Sequence, residues 1–131
     1  MPSDARSHVE FFPLPSTVRL PFSEAVRVGN LLYLSGQMGT DANARLVGGG
    51  IESETRQILT NVGAVLQRHG LDLSAVVKCT VMLADMKEWP AMNQVYLEFF
   101  KPPLPARSAF GANGLALGGR VEIECVAALD R

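Results

Sequence analysis

Apolar residues along the chain recur with two periods, and the switches between them outline its elements. Ala25-Val26-Arg27-Val28 and Leu31-Leu32-Tyr33-Leu34-Ser35-Gly36 are β-rich runs separated by Gly29-Asn30, the pattern of a hairpin. In the second run Leu32 and Leu34 share one face, while Leu31, Tyr33 and Ser35 take the other. Both faces are largely apolar, so this strand is expected to be central or covered by a partner. From about residue 51 to 69 the period lengthens. Ile58, Val62 and Leu66 recur every four residues with Leu59 and Val65 beside them, which predicts a helix. Glu52 and Glu54 in its first turn and Arg68-His69 in its last suit the helix dipole, and Gly70 is placed to end it. His69 therefore has a structural explanation.

Period two returns over residues 73–83, with Val77, Cys79, Val81 and Leu83 on one face and Val76, Lys78, Thr80 and Met82 on the other. Asp85 and Glu88 read as a capping box opening a second helix to about Lys101. Its core stripe is Trp89, Met92, Val95, Tyr96 and Phe99, and Pro102-Pro103 stops it. Strands over 106–110 and 121–129 follow. In the last, Val121, Ile123, Cys125 and Ala127 face one way and Glu122, Glu124, Val126 and Ala128 the other. Residues 1–16 read as an N-terminal tail or edge segment, and 17–131 as a single domain. Thr17-Val18-Arg19-Leu20 offers an extra short strand. The glycine-rich stretch 36–50 has no Walker lysine and no GxGxxG before a helix, so it reads as a flexible loop.

The order β-β-α-β-α-β-β predicts an α+β fold, a mixed β-sheet whose two helices can pack on only one face. The other face would carry Val76, Met82, Val126 and Ala128 among its polar residues. Such a face is expected to be buried by self-association with closed symmetry.

Composition narrows the function. A chain of 131 residues with 47% hydrophobic residues can bury one core without disulfides or metals. The net charge of −1 and the lack of a basic patch argue against nucleic acid as a partner. Cys79 and Cys125 lie in strand-like runs outside any CxxC motif and read as reduced core thiols. The first residues do not form a signal peptide, and no apolar run approaches membrane-spanning length. A soluble cytoplasmic protein with no membrane partner is expected.

The candidate chemistry lies between Pro105-Ala106-Arg107-Ser108 and Val121-Glu122-Ile123-Glu124. If these ends pair as neighbouring strands, an arginine fork and a carboxylate can face one pocket. The fork would clamp an organic acid and the carboxylate would move a proton or hold a water. Residue type alone favours a different role for Arg107, a salt bridge to Glu124 or Asp130. Alternation places Glu122 and Glu124 on one face and does not separate them.

At Ser35-Gly36-Gln37, Asn93, Pro105-Ala106-Arg107-Ser108 and Val121-Glu122-Ile123-Glu124 the chain resembles the Rid/YjgF family, over about residues 17 to 130. These are the reactive intermediate or imine deaminases, formerly called endoribonuclease L-PSP. The resemblance implies a chorismate-mutase-like fold and a homotrimer with three clefts at subunit interfaces. It implies hydrolysis of 2-imino acids, or enamine tautomers such as 2-aminoacrylate, to 2-keto acids and ammonia, without metal or organic cofactor. By position, Arg107 matches the residue that binds the substrate carboxylate and Glu122 the one that positions the attacking water. Ser35, Gly36 and Asn93 fall on pocket positions. Ala109 takes a pocket position that is often Cys, and Phe22 stands where the best-studied branch has a pocket Tyr, so a hydroxyl is lost. Two other functions compete: a non-catalytic ligand-binding or chaperone-like trimer, and, less favoured, a ribonuclease.

Overall fold

The structure is a computed structural model that describes residues 8–15 and 17–130. The expected tail falls partly outside those residues. Among the described residues seven strands form one sheet: β1 (Val9–Phe12), β2 (Ala25–Val28), β3 (Leu31–Leu34), β4 (Gln37–Met38), β5 (Val76–Leu83), β6 (Ala106–Gly111) and β7 (Val121–Ala128). Their order is β1-β2-β3-β7-β5-β6, and β4 also pairs with β7. Only β5 and β6 run parallel; the other pairs are antiparallel. The hairpin turns at Gly29, whose φ of 57° suits a residue without a Cβ. Part of the expected tail is an edge strand, because β1 pairs with β2. The expected strand at residues 17–20 is not formed.

Two helices cover the sheet, α1 (Gly50–Arg68) and α2 (Trp89–Phe99). The α1 stripe of Ile58, Leu59, Val62 and Leu66 joins Met92 and Tyr96 of α2, the alternate residues Cys79, Val81 and Leu83 of β5, and Val121, Ile123 and Cys125 of β7 in one apolar cluster. Both helices therefore sit on one face. The opposite face is open and apolar in part: Tyr33 is 45% exposed and Phe110 48% exposed.

Several local expectations fail for identifiable reasons. Val76 is buried with the core, not on the open face, because the register shifts between Val76 and Lys78. A bulge there lets consecutive turns of the pleat break alternation. Asp85 does not cap α2. Its carboxylate accepts from the Lys87 N–H at 2.9 Å and caps a separate 3-10 turn, Met86–Glu88. The residue before α2 is Glu88, which makes no side-chain cap, and Pro90 sits in the first turn where its missing N–H costs nothing. Glu88 instead pairs with Arg120 at 2.9 Å. Trp89 is not core: it is 40% exposed.

Nor does the glycine-rich stretch wander. The Asn61 amide of α1 donates to the carbonyls of Met38 and Thr40, at 3.2 and 3.0 Å. Gly39 packs directly on α1, since a Cβ there would stand 2.9 Å from the Glu54 backbone. Glu54, which suits the helix dipole by its position, has a second role. It is buried, and its Oε1 accepts the Arg120 N–H at 2.9 Å. That bond ties α1 to the start of β7, two residues before Glu122.

Candidate functional site

Arg107 lies on β6, the edge strand, in register with Cys79 on β5, which is in register with Cys125 on β7. Both cysteines point into the core, so Arg107 points to the helix side of the sheet. There its guanidinium lies 4.8 Å from the Tyr96 ring centroid and 5.8 Å from that of Trp89. Cation–π attraction holds it from both rings. Among the described residues Arg107 has no hydrogen-bond acceptor and no ion pair, so the salt bridge to Glu124 or Asp130 is not formed. Asp130 accepts from Asn30 instead, at 3.1 Å.

Arg107 borders a cleft of about 340 Å³ with Asn93, Tyr96, Leu97, Leu104 and Pro105. Two buried polar atoms at this cleft, Asn93 Oδ1 and the Tyr96 hydroxyl, lack a hydrogen-bond partner among the described residues. A buried acceptor left open is costly, which makes the amide oxygen a waiting contact for a ligand or water. Burial pushes the Tyr96 phenol well above its ordinary range, so the hydroxyl keeps its proton. Behind it, the Cys79 and Cys125 sulfurs are 3.3 Å apart and free. The Cys125 contact above all holds the Cys79 thiol down against burial, with Tyr96 and the Arg107 charge adding to it. Ala109, two residues along β6, packs against the core on the same side as Arg107.

The second group of candidates lies elsewhere. Glu122 is in register with Met82, on the open face. Partial burial, then the charge of Glu124, raises the pKa of its carboxyl. Gly36 is what admits that carboxylate, since a Cβ there would overlap Glu122 Oε2. The Ser35 hydroxyl donates to the Ser23 carbonyl at 2.6 Å, which anchors the segment carrying Phe22 beside the same strand end. The Phe22 ring is exposed. Glu124 lies farther along, in a depression shared with Tyr33, Ser35, Lys78 and Thr80. The structure thus separates the two glutamates that alternation left together: Glu122 abuts Gly36 and is half-buried, and Glu124 is exposed.

The expected pairing of Arg107 and Glu122 across neighbouring strands does not occur. Strand β5 lies between β6 and β7, and the two side chains leave opposite faces of the sheet. The candidates sort into two half-sites: Arg107, Asn93 and Ala109 on the helix side of the β6 edge, and Phe22, Ser35, Gly36 and Glu122 around the open face. A larger groove of about 540 Å³ crosses α1 near Gly63 and Phe99. Its one titratable side chain, Asp72, is engaged by Ser74, so it offers no comparable chemistry. Among the described residues no three His, Cys, Asp or Glu side chains are grouped as a metal site would need.

Sequence reading placed Trp89 and Tyr96 in the core and missed their contact with Arg107. The signal was available in helical spacing. Once Asn93 is a pocket residue, positions four before it and three after share its face.

The family model described as Endoribonuclease L-PSP matches residues 15–129. The 2-iminobutanoate/2-iminopropanoate deaminase of Capra hircus is 47% identical over 108 residues, covering 82% of this chain and 79% of that protein. The Homo sapiens protein of the same name is 44% identical over 108 residues, with the same coverage of 82% and 79%. Among solved structures, RidA from an Antarctic Psychrobacter superposes with a TM-score of 0.80 at 34% identity, over 89% of this chain and 93% of that one.

Proposed function

Because the chain belongs to the endoribonuclease L-PSP family, we propose that it hydrolyses reactive 2-imino acids and their enamine tautomers to 2-keto acids and ammonia. The goat and human relatives are named for 2-iminobutanoate and 2-iminopropanoate, and acids of that size are the substrates assigned here. One observation carries the reading: a guanidinium held beside two rings, with no acceptor among the described residues taking its N–H donors. Arginine stays charged at any working pH and matches a carboxylate with two parallel bonds.

The rest of the chemistry asks little. An iminium carbon is already electrophilic, so water needs no Ser or Cys nucleophile. Glu122 takes a proton from that water as oxygen bonds to the carbon, giving a carbinolamine. It returns the proton to the nitrogen and then takes the hydroxyl proton as the C–N bond breaks, so that ammonia leaves and the carbonyl forms. A carboxyl with raised proton affinity suits both halves of this exchange. The protonated form can also deliver a proton to carbon and convert an enamine to the imine.

One chain cannot do this alone, because Arg107 and Glu122 leave opposite faces of its sheet. In the reading offered here three copies close into a ring, the open apolar faces are covered, and each cleft takes Arg107 from one copy and Glu122 from its neighbour. Free, buried Cys79 and Cys125 suit a reducing, cytoplasmic compartment.

The test is complementation. Imine is generated by an amino-acid oxidase or a pyridoxal-phosphate dehydratase, and its loss is followed above the spontaneous rate. Arg107→Ala and Glu122→Gln should each abolish the excess. Co-refolded in equal amounts, they should regain activity at roughly a quarter of the sites, the chance pairing of an intact Arg107 with an intact Glu122. No excess hydrolysis by the native protein refutes the reaction. Active single variants refute the residues, and inactive mixtures refute the shared site. Binding of 2-keto acids without turnover would instead favour a ligand-binding trimer, the role that the missing hydroxyl at Phe22 leaves open.

A further inference from the structure

We infer that Trp89 and Tyr96 are positioning residues that hold the Arg107 guanidinium ready for its ligand. This deepens the hydrolase reading and rests on it only for the identity of the anion. Arg107 sits on an edge strand, where a long side chain with no partner would sample many rotamers. Fixing such a side chain at the moment of binding costs roughly two- to tenfold in affinity. A carboxylate from the protein would fix it in advance, but would also occupy its donors and cancel its charge. Aromatic faces do neither. They attract the cation through the ring quadrupole, while the N–H groups point outward in the guanidinium plane. The observed surroundings are of this kind: rings at 4.8 and 5.8 Å, and no acceptor among the described residues.

The two rings are held differently. Tyr96 is almost fully buried and packs at a tilt against Phe100 with centroids 4.6 Å apart, so it forms a floor fixed by the core. Its hydroxyl is turned away from Arg107 toward the Cys79 thiol, so the ring meets the guanidinium without a polar contact. Trp89 opens the first turn of α2 and remains partly exposed, with its ring beside the Arg107 guanidinium. A core role does not explain that placement, and a wall beside Arg107 does. Helical spacing puts both rings on the face that carries Asn93.

Trp89 is the only tryptophan in the chain, so its emission reports on this wall directly. The probe is 2-ketobutyrate, titrated against the native protein by fluorescence and by calorimetry. The expected result is a saturable change in emission with the calorimetric Kd, absent in Arg107→Ala. Trp89→Leu should raise KM for the imine and Kd for 2-ketobutyrate about three- to tenfold with kcat nearly constant, as loss of uniform binding does. Trp89→Phe restores a ring and should recover most of the loss. Tyr96→Leu should act in the same direction as Trp89→Leu, with folding checked by circular dichroism. The inference is overturned if Trp89→Leu keeps native KM and Kd, if Trp89→Phe is as impaired as Trp89→Leu, or if saturating 2-ketobutyrate leaves the emission unchanged. A native protein that binds 2-ketobutyrate but hydrolyses no imine sinks the hydrolase reading, and the positioning role is then decided on Kd alone.

Discussion

Replacing Gly36 by alanine isolates the position of one carboxylate from the stability of the fold. The added Cβ would overlap Glu122 Oε2 and stand 3.1 Å from Cδ and 3.3 Å from Cγ. Gly36 is not among the glycines with positive φ, so its backbone accepts alanine without strain. What must give way is the far end of a flexible side chain. Turning Glu122 off its rotamer costs about 1 kcal/mol, well short of a core overpacking. The carboxylate, however, must retreat on the order of 1 Å, and displacement by that much from a reacting water costs on the order of 100-fold in rate. Gly36→Ala should therefore lower kcat/KM for imine hydrolysis by about two orders of magnitude while the melting temperature falls by less than about 5 °C. Adding Glu122→Gln to Gly36→Ala should make matters no worse than Glu122→Gln alone, since both remove the same group. Native kcat/KM in Gly36→Ala, or additive losses in the double variant, would refute the claim that Gly36 exists to seat Glu122.

Two other outcomes follow from the open face. In the proposed reaction Glu122 is a base in its charged form, so kcat/KM should fall as pH drops through its pKa, which burial and then Glu124 raise. Glu124→Gln should shift that acid limb to lower pH, and a limb that stays put or moves upward contradicts the assigned coupling. For the assembly, Tyr33→Glu places a carboxylate at the centre of the face proposed to be covered, where an unpaired charge costs several kcal/mol to bury. Light scattering should find the native protein at three times its 14.1 kDa chain mass and Tyr33→Glu at the single-chain mass without activity. A native protein of single-chain mass would refute the ring.

Much of the fold was legible because most elements are governed by burial, and burial writes itself as a period. The α1 stripe, the hairpin at Gly29-Asn30 and the alternation of β7 all sit where the pattern puts them. The failures come where a local signal has two uses. Asp85 is a good capping residue, and it caps a 3-10 turn one step before the helix. Glu54 suits a helix N-terminus, but the chain needs an acceptor for the Arg120 N–H and takes Glu54 for that. Val76 belongs to a regular run until a bulge reverses it, and nothing in its residue type announces the extra residue in the pleat.

Candidate site residues could be named from the sequence, but which of them share a face could not, for a reason that lies in sheets themselves. Alternation states which residues of one strand share a face, but it relates two strands only once their register and neighbours are known. Arg107 alternates with Ala106 and Ser108, and Glu122 with Ile123, and neither pattern says that Arg107 keeps company with Cys79 while Glu122 sits with Met82. The strand between them, β5, joins them in one sheet and keeps them on opposite sides of it. No rearrangement of a folded chain brings the two faces of its own sheet together. An active site that needs both groups must therefore be built between molecules, and the apolar face around Tyr33 and Phe110 is the surface on which such building can occur. On this reading the partly apolar open face and the divided site are one fact about the fold, since the contact that covers the first is the contact that completes the second.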